Sequence, residues 1–256
     1  MKPPIVIIGI GELAGVFSAG FLRCGYPVYP ITRGMDLNTE CLKIPTPELV
    51  LITVQENELY SVLKQLPKPW QQKVALVQNE LLPRDWQQHQ LKNPTVTVVW
   101  FEKKKGFEVT SILYSPCYGP SAQLMSNALQ AMDIPAPILD NEEQLLYELL
   151  RKALYILTVN ISGLVNNCTV GDLWLNHSAL ATDIAIEIIR IQESLTGQTL
   201  AQEQLISGMV EGIEDCPDRY CLGRNAPARL NRALAYAKKA NIATPKLDSI
   251  YSQTKN

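Results

Sequence analysis

Pro4-Ile5-Val6-Ile7-Ile8-Gly9-Ile10-Gly11-Glu12-Leu13-Ala14-Gly15 decides the fold of this chain. Residues 4–8 are apolar and rich in β-branched side chains, the composition of a strand buried on both faces of a parallel sheet. Glycine ends the run. From Gly11 to Cys24 the apolar residues Leu13, Val16, Phe17, Phe21 and Leu22 recur at helical spacing, and Gly25 follows as a stop. A strand therefore runs through a glycine turn into a helix. Gly9 permits the tight turn, Gly11 lets the backbone approach a pyrophosphate, and Ala14 lets helix and strand pack closely while the helix N-terminus faces the anion. Gly9, Gly11, Glu12, Leu13 and Ala14 are thus the candidate cofactor contacts of a dinucleotide-binding turn.

Outward from this turn, strands and helices alternate. Tyr26–Thr32, Glu48–Val54, Lys73–Gln78 and Thr95–Trp100 read as strands, and Leu59, Val62, Leu63 and Leu66 mark a helix. The stretch between the second and third strands has little periodicity, so the second crossover helix looks shortened. Phe107–Tyr114 is expected to be a further strand, Cys117–Pro120 a turn and Ala122–Met132 a helix, before Pro135 and Pro137 break the chain. From Asn141 onward the apolar spacing is helical, through 143–165, 178–195, 199–213 and 228–240. The fold class expected is α/β: an N-terminal Rossmann doubly wound sheet over 1–140, followed by an all-α helical bundle over 141–256.

Strand two ends at Thr32-Arg33, about 22 residues beyond Gly11, where an acidic residue would hydrogen-bond a ribose 2′-hydroxyl in NAD enzymes. A guanidinium there matches a 2′-phosphate in bidentate fashion, which argues for NADP(H), with Asp36 close enough in sequence to complicate the reading.

The bulk properties agree with a small-molecule protein. The chain has 256 residues, enough for two cores, and its net charge of −2 gives no reason to expect nucleic acid. No stretch approaches the roughly 20 apolar residues of a membrane span, and the cytoplasm is the compartment expected. The six cysteines (24, 41, 117, 168, 216 and 221) lack zinc-ligand spacing and read as free thiols, with Cys216 and Cys221 nearest in sequence. His89 and His177 are isolated, and no metal site is expected.

Several segments together resemble the ketopantoate reductase family, in order and over most of the chain. They are the turn at 9–15, Thr32-Arg33-Gly34, Leu-Ile-Thr-Val at 51–54, Val-Gln-Asn at 77–79, Tyr-Gly-Pro at 118–120, Glu148-Leu-Leu-Arg-Lys152 and Asn-Ile-Ala-Thr-Pro at 241–245. The resemblance implies a Rossmann domain followed by a helical domain, with NADPH and a 2-keto acid meeting in the cleft between them. It places the family's proton-donating lysine on Lys152 and its cofactor- and substrate-contacting asparagine on Asn79. A cation beside a carbonyl oxygen stabilises the negative charge that grows there on reduction and then supplies the proton. The implied partner is a small carbonyl compound, with a homodimer compatible with the reading.

Helical arithmetic bears on the second domain without the family. At 100° per residue Lys152, Ile156, Asn160 and Asn167 fall at roughly 0°, 40°, 80° and 60°, one face if the helix continues across Gly163. Buried polar groups require partners or ligand, so Asn160 joins Asn79 as a candidate substrate residue. Departures from the family are equally legible. Ile156 and Val170 stand where the family has asparagines, Gly223–Asn231 carries no acid, and Gln55 and Glu58 replace a lysine and a glutamine that help hold cofactor. The function expected is therefore an NADP(H)-dependent reductase of a small 2-keto acid or related carbonyl compound, other than ketopantoate. The alternative is a non-catalytic NADP(H)-binding or regulatory protein that has lost the reductase site.

Overall fold

Strand β1 (Ile5–Ile8) is buried at every residue, and α1 (Glu12–Arg23) leads from it to β2 (Val28–Ile31). The computed structural model describes residues 2–255. The second crossover is short, as expected: α2 (Leu37–Lys43) is seven residues long and is followed by β3 (Leu49–Ile52), which pairs with β1 on the side opposite β2. Ile5 is level with both Val28 and Leu49. The chain then runs through α3 (Leu59–Gln65), a 3-10 segment at Lys68–Lys73, β4 (Val74–Leu76), α4 (Pro83–Gln87) and β5 (Thr95–Thr97). These five strands are all parallel.

Beyond β5 the sequence expectations need correcting. Phe107–Tyr114 is not one strand. Phe101–Glu102 (β6) and Thr110–Ser111 (β7) form a separate two-stranded ribbon, and Cys117–Tyr118 is a strand, β8, lying antiparallel on β5. The turn begins two residues later, at Gly119, which has φ +106° and where a Cβ would stand 2.8 Å from the Pro94 carbonyl oxygen. The finished sheet has the order β2-β1-β3-β4-β5-β8.

Helix α5 (Ala122–Gln130) packs directly on α1. Gly20 sits at that crossing, and a Cβ there would lie 2.1 Å from the Ala128 carbonyl oxygen, so the two helices touch through backbone. Phe17, Phe21, Met125 and Leu129 fill the space around them. This contact fixes α1, and with it the helix N-terminus at the end of β1.

The helical region comprises α6 (Glu142–Ser162), α7 (Val170–Thr196), α8 (Gln202–Asp215), α9 (Ala226–Ala240) and α10 (Pro245–Gln253). The chain divides into two compact units, Met1–Leu149 and Leu150–Asn256, so α6 runs across the division. Within the second unit α7 is central and is kinked at His177. Arg151 on α6 donates from Nε to the Gly208 carbonyl at 2.8 Å and pairs with Glu211 at 2.7 Å, tying α6 to α8. Buried Glu187 on α7 accepts from the N–H groups of Lys246 and Leu247 at 2.8 and 3.0 Å, satisfying donors of the first turn of α10 that have no partner within the helix. No helix among the described residues is long and apolar enough to cross a membrane.

Candidate functional site

The turn after β1 is shaped by contacts with the strand beside it. Gly9 has φ +95°, and a Cβ on it would meet Val54 Cγ1 at 2.8 Å and the Val54 nitrogen at 3.0 Å. Only glycine fits both the dihedral and the space. Thr53 Oγ1 donates to the Gly9 carbonyl at 2.6 Å, pinning the turn to the end of β3. This is the point where the chain crosses from one side of β1 to the other, the switch point at which open parallel sheets bind ligands. Gly11 is the N-cap of α1 and differs from Gly9: its φ is −108°, and a Cβ would find nothing within 4 Å. Gly11 therefore borders open space, and neither its dihedral nor its neighbours require a glycine there. Glu12 and Leu13 form the first helical turn, with Glu12 exposed, and Ala14 is buried against the core.

Two further segments reach the same edge of the sheet. Arg33, just beyond β2, is 89% exposed and pairs with Glu58 at 2.7 Å. Asp36 serves a different purpose: its Oδ1 accepts from the Thr39 N–H and hydroxyl, both at 2.8 Å, capping α2. Those bonds hold its carboxyl below the usual carboxylate range. The acid that complicated the Arg33 reading is thus engaged as a helix cap. On the other flank Gln78 donates to the Ile52 and Val54 carbonyls at 2.7 and 3.3 Å, and Asn79 donates to Glu56 Oε1 at 3.2 Å. The loop 53–58 is therefore held from the β4 side while carrying two acids, Glu56 and Glu58, and no base.

In the second unit α6 carries the other candidates. Lys152 is buried, with Nζ 5.6 Å from the centre of the Tyr155 ring. Burial raises the Tyr155 hydroxyl pKa, opposed by the neighbouring Arg219 guanidinium, which donates to that oxygen at 2.9 Å. Asn160 lies two turns beyond Lys152 and is engaged at both ends of its amide. Its Nδ2 donates to the Cys221 carbonyl at 3.1 Å, and its Oδ1 accepts from Arg229 at 2.6 Å. Asn167 is not on this face, because α6 stops at Ser162. The segment around 221 crosses over Gly163, where a Cβ would lie 2.5 Å from the Leu222 nitrogen, and the chain turns away beneath it.

Sequence reasoning missed Arg229 and Tyr155. A signal for Arg229 was present: it falls on the apolar stripe of α9 with Ala226, Leu230, Ala233 and Ala237, where a charge must have a partner. Its partner, Asn160, is 69 positions away and no local pattern reveals it.

No protein-family model matches the chain, and no curated protein matches it in sequence. Solved structures do. A dimeric ketopantoate reductase from Staphylococcus aureus is 18% identical, with 98% of this chain and 97% of that chain covered and a TM-score of 0.67. A 2-dehydropantoate 2-reductase from Methylococcus capsulatus is 13% identical (98% and 96% covered, TM-score 0.69). D-mandelate dehydrogenase with NADH is 16% identical (100% and 98% covered, TM-score 0.68). At these identities the likeness is one of fold, and it extends through both the sheet and the helices.

Proposed function

We propose that this chain, which has the ketopantoate reductase fold, is an NADP(H)-dependent oxidoreductase acting on a small 2-keto acid or related carbonyl compound. The observation that carries this reading is the pair of glycines after β1. Gly9 is demanded by its own dihedral and by Val54, whereas at Gly11, the N-cap of α1, neither dihedral nor space demands glycine. A glycine beside open space at a helix N-terminus, at the switch point of a parallel sheet, fits a phosphate-bearing ligand. The structural neighbours, one of them described with NADH, support a nicotinamide cofactor. Arg33 favours the 2′-phosphorylated form.

The roles proposed for the chain's own residues follow from their chemistry. The backbone of Gly9–Ala14 would hold the pyrophosphate, Arg33 the 2′-phosphate, and Asn79 would position cofactor and substrate. A nicotinamide held there would supply the hydride for carbonyl reduction. Lys152 Nζ donates a proton to the carbonyl oxygen, and a buried cation is well suited to stabilising charge that develops there. Asn160 positions substrate with whatever donor and acceptor capacity Arg229 and Cys221 leave it, one of each for a primary amide. Ile156, which is partly exposed, supplies apolar surface where a polar contact would be needed for ketopantoate, and Val170, aligned with the second such contact, is fully buried, so a less polar carbonyl compound is the substrate class.

A second reading, a non-catalytic NADP(H)-binding protein, is favoured by one specific observation: Asn160 is braced between Arg229 and Cys221 as a structural strut would be. Thermal-shift titration with NADPH and NADH, followed by a panel of 2-keto acids and aldehydes with NADPH oxidation as readout, separates the two. Ligand that binds only the native state raises its apparent stability. Binding with turnover supports the reductase, binding without turnover across the panel supports the second reading, and no shift with either nucleotide removes both.

A further inference from the structure

Cys168 and Cys221 face each other across a short antiparallel bridge. Thr169 pairs with Tyr220, flanked by hydrogen bonds from the Val170 N–H to the Arg219 carbonyl at 2.7 Å and from the Cys221 N–H to the Cys168 carbonyl at 3.1 Å. Those two bonds make 169 and 220 the non-hydrogen-bonded pair. Residues 168 and 221 are therefore opposite at the next position, where Cα atoms in an antiparallel ladder stand about 5.5 Å apart. That lies inside the roughly 4.4–6.8 Å a disulfide spans. The two Sγ atoms are 3.9 Å apart, and both thiols are free. Cys216 and Cys221, the nearest pair in sequence, are not the pair the fold brings together. Cys24 and Cys117 have oxygen partners instead, at the Asn127 carbonyl and at Ser115 and Thr97.

We propose that Cys168 and Cys221 form an oxidative modification site, a dithiol that a peroxide converts to a disulfide. Their exposure assigns the order. Cys168 is partly exposed and meets the oxidant, whereas Cys221 is fully buried. Burial also pushes the Cys221 thiol up to about 12, which keeps it protonated and makes it the poorer first target for the oxidant. Cys168 sulfur attacks the peroxide, breaking the O–O bond, and becomes the sulfenic acid as one water leaves. Cys221 sulfur then attacks the Cys168 sulfur, the S–O bond breaks, and the departing hydroxide takes the Cys221 proton as a second water. Two thiols and one hydrogen peroxide yield one disulfide and two waters. A dithiol reductant reverses the step.

The bond would change a specific part of the molecule. It staples the segment leaving α6 to the strap that crosses Gly163, and the strap supplies the carbonyl that holds Asn160. The site stands on this geometry alone and needs no cofactor.

The test uses the full chain. Protein treated with hydrogen peroxide is quenched, unfolded, alkylated and digested, and thiols and linked peptides are read by mass spectrometry in the unmodified chain, C168S and C216S. The expected result is loss of two of the six thiols, with a single linked peptide joining Cys168 to Cys221. It is reversed by dithiothreitol, unchanged in C216S and absent in C168S. Survival of all six thiols, a link through Cys216, or Cys168 passing to sulfinic acid without a link would each overturn the proposal. The unmodified chain gives the decisive map even if a variant folds poorly.

Discussion

The glycine turn of the first unit and the Lys152 face of the second are both unusual stretches of otherwise regular structure, and they are built in opposite ways. At the turn, everything that matters lies within a few residues of Gly9 or on the adjoining strand end at Thr53 and Val54. It is backbone chemistry, and the space at Gly11 is left open. On α6 the polar side chains are closed in by partners that arrive from far along the chain: Arg219 on Tyr155, and Arg229 and the Cys221 carbonyl on Asn160. The turn leaves space uncommitted at Gly11, whereas the α6 face commits its polar groups to partners within the protein. The two regions therefore call for different tests, of ligand binding at the turn and of turnover on α6.

The largest effect expected is on Lys152. If the α6 face is catalytic, Lys152→Ala lowers kcat by about 10²–10⁴-fold, the usual contribution of a general acid, while NADPH affinity stays nearly unchanged. If Lys152 is only part of the packing around Tyr155, the same change lowers the melting temperature and any activity falls only with the folded fraction. Turnover and thermal stability measured on one preparation decide it. Undiminished turnover in a folded variant would make α6 the strut and nothing more.

The converse experiment is made at the turn. Gly11→Val introduces a side chain into space where the free protein has no atom within 4 Å, at a φ of −108° that any residue adopts. The protein should stay folded, with a loss of about 1 kcal/mol for a poorer N-cap and a drop of a few degrees in Tm. Binding of both nucleotides should fall about 100-fold or more, because the new atoms stand where the backbone would approach the pyrophosphate. Retained affinity would show that the open space is incidental. Gly9 would not serve for this test, since a side chain there collides with Val54 and unfolding would mimic loss of binding.

What could be read in the sequence follows the same division. The turn, the alternation of β1 to β5 with their helices, and the helical second unit were legible because each depends on local periodicity and on glycine where a dihedral or a space requires it. The edge of the sheet was not. Cys117-Tyr118 is only two residues long and is a strand because β5 lies beside it, so its local signal is that of the Gly119 turn that follows. The helical spacing of α6 reads on to 165, and to Asn167 only if the helix crosses Gly163; it ends at Ser162 because a strap 50 or more positions later presses on Gly163. The polar face of α6 was legible as a face, and Lys152 and Asn160 as its members. Their partners were invisible, since Arg229 and Cys221 meet Asn160 only through the tertiary fold.

A smaller effect is expected at the adenosine end. Arg33→Ala should remove most of the preference for NADPH over NADH, at about 1.5–3 kcal/mol, the range for a hydrogen bond to a charged group. NADH affinity should barely change, because it presents a hydroxyl where NADPH presents a phosphate. Equal affinities for the two nucleotides in the unmodified protein would end the NADP(H) assignment.

The smallest effect is the most diagnostic of how far the turn is committed to a phosphorylated ligand. Glu58 holds the Arg33 guanidinium at 2.7 Å, so a 2′-phosphate must displace a carboxylate before it can be gripped. The magnitudes say that it can. With the two side chains 89% and 38% exposed, the pair is worth about 0.2–1 kcal/mol, less than the guanidinium gains from a phosphate. Glu58→Gln removes that competition together with a negative charge close to the incoming one, and should tighten NADPH binding by about two- to fivefold with NADH unchanged. The gain should shrink as salt is raised, since both charges are in solvent, and it should vanish in the Arg33→Ala background, where nothing is left to release. Equal tightening of both nucleotides would place the influence of Glu58 at the shared phosphates, and no change in either would mean that Arg33 does not meet a 2′-phosphate at all.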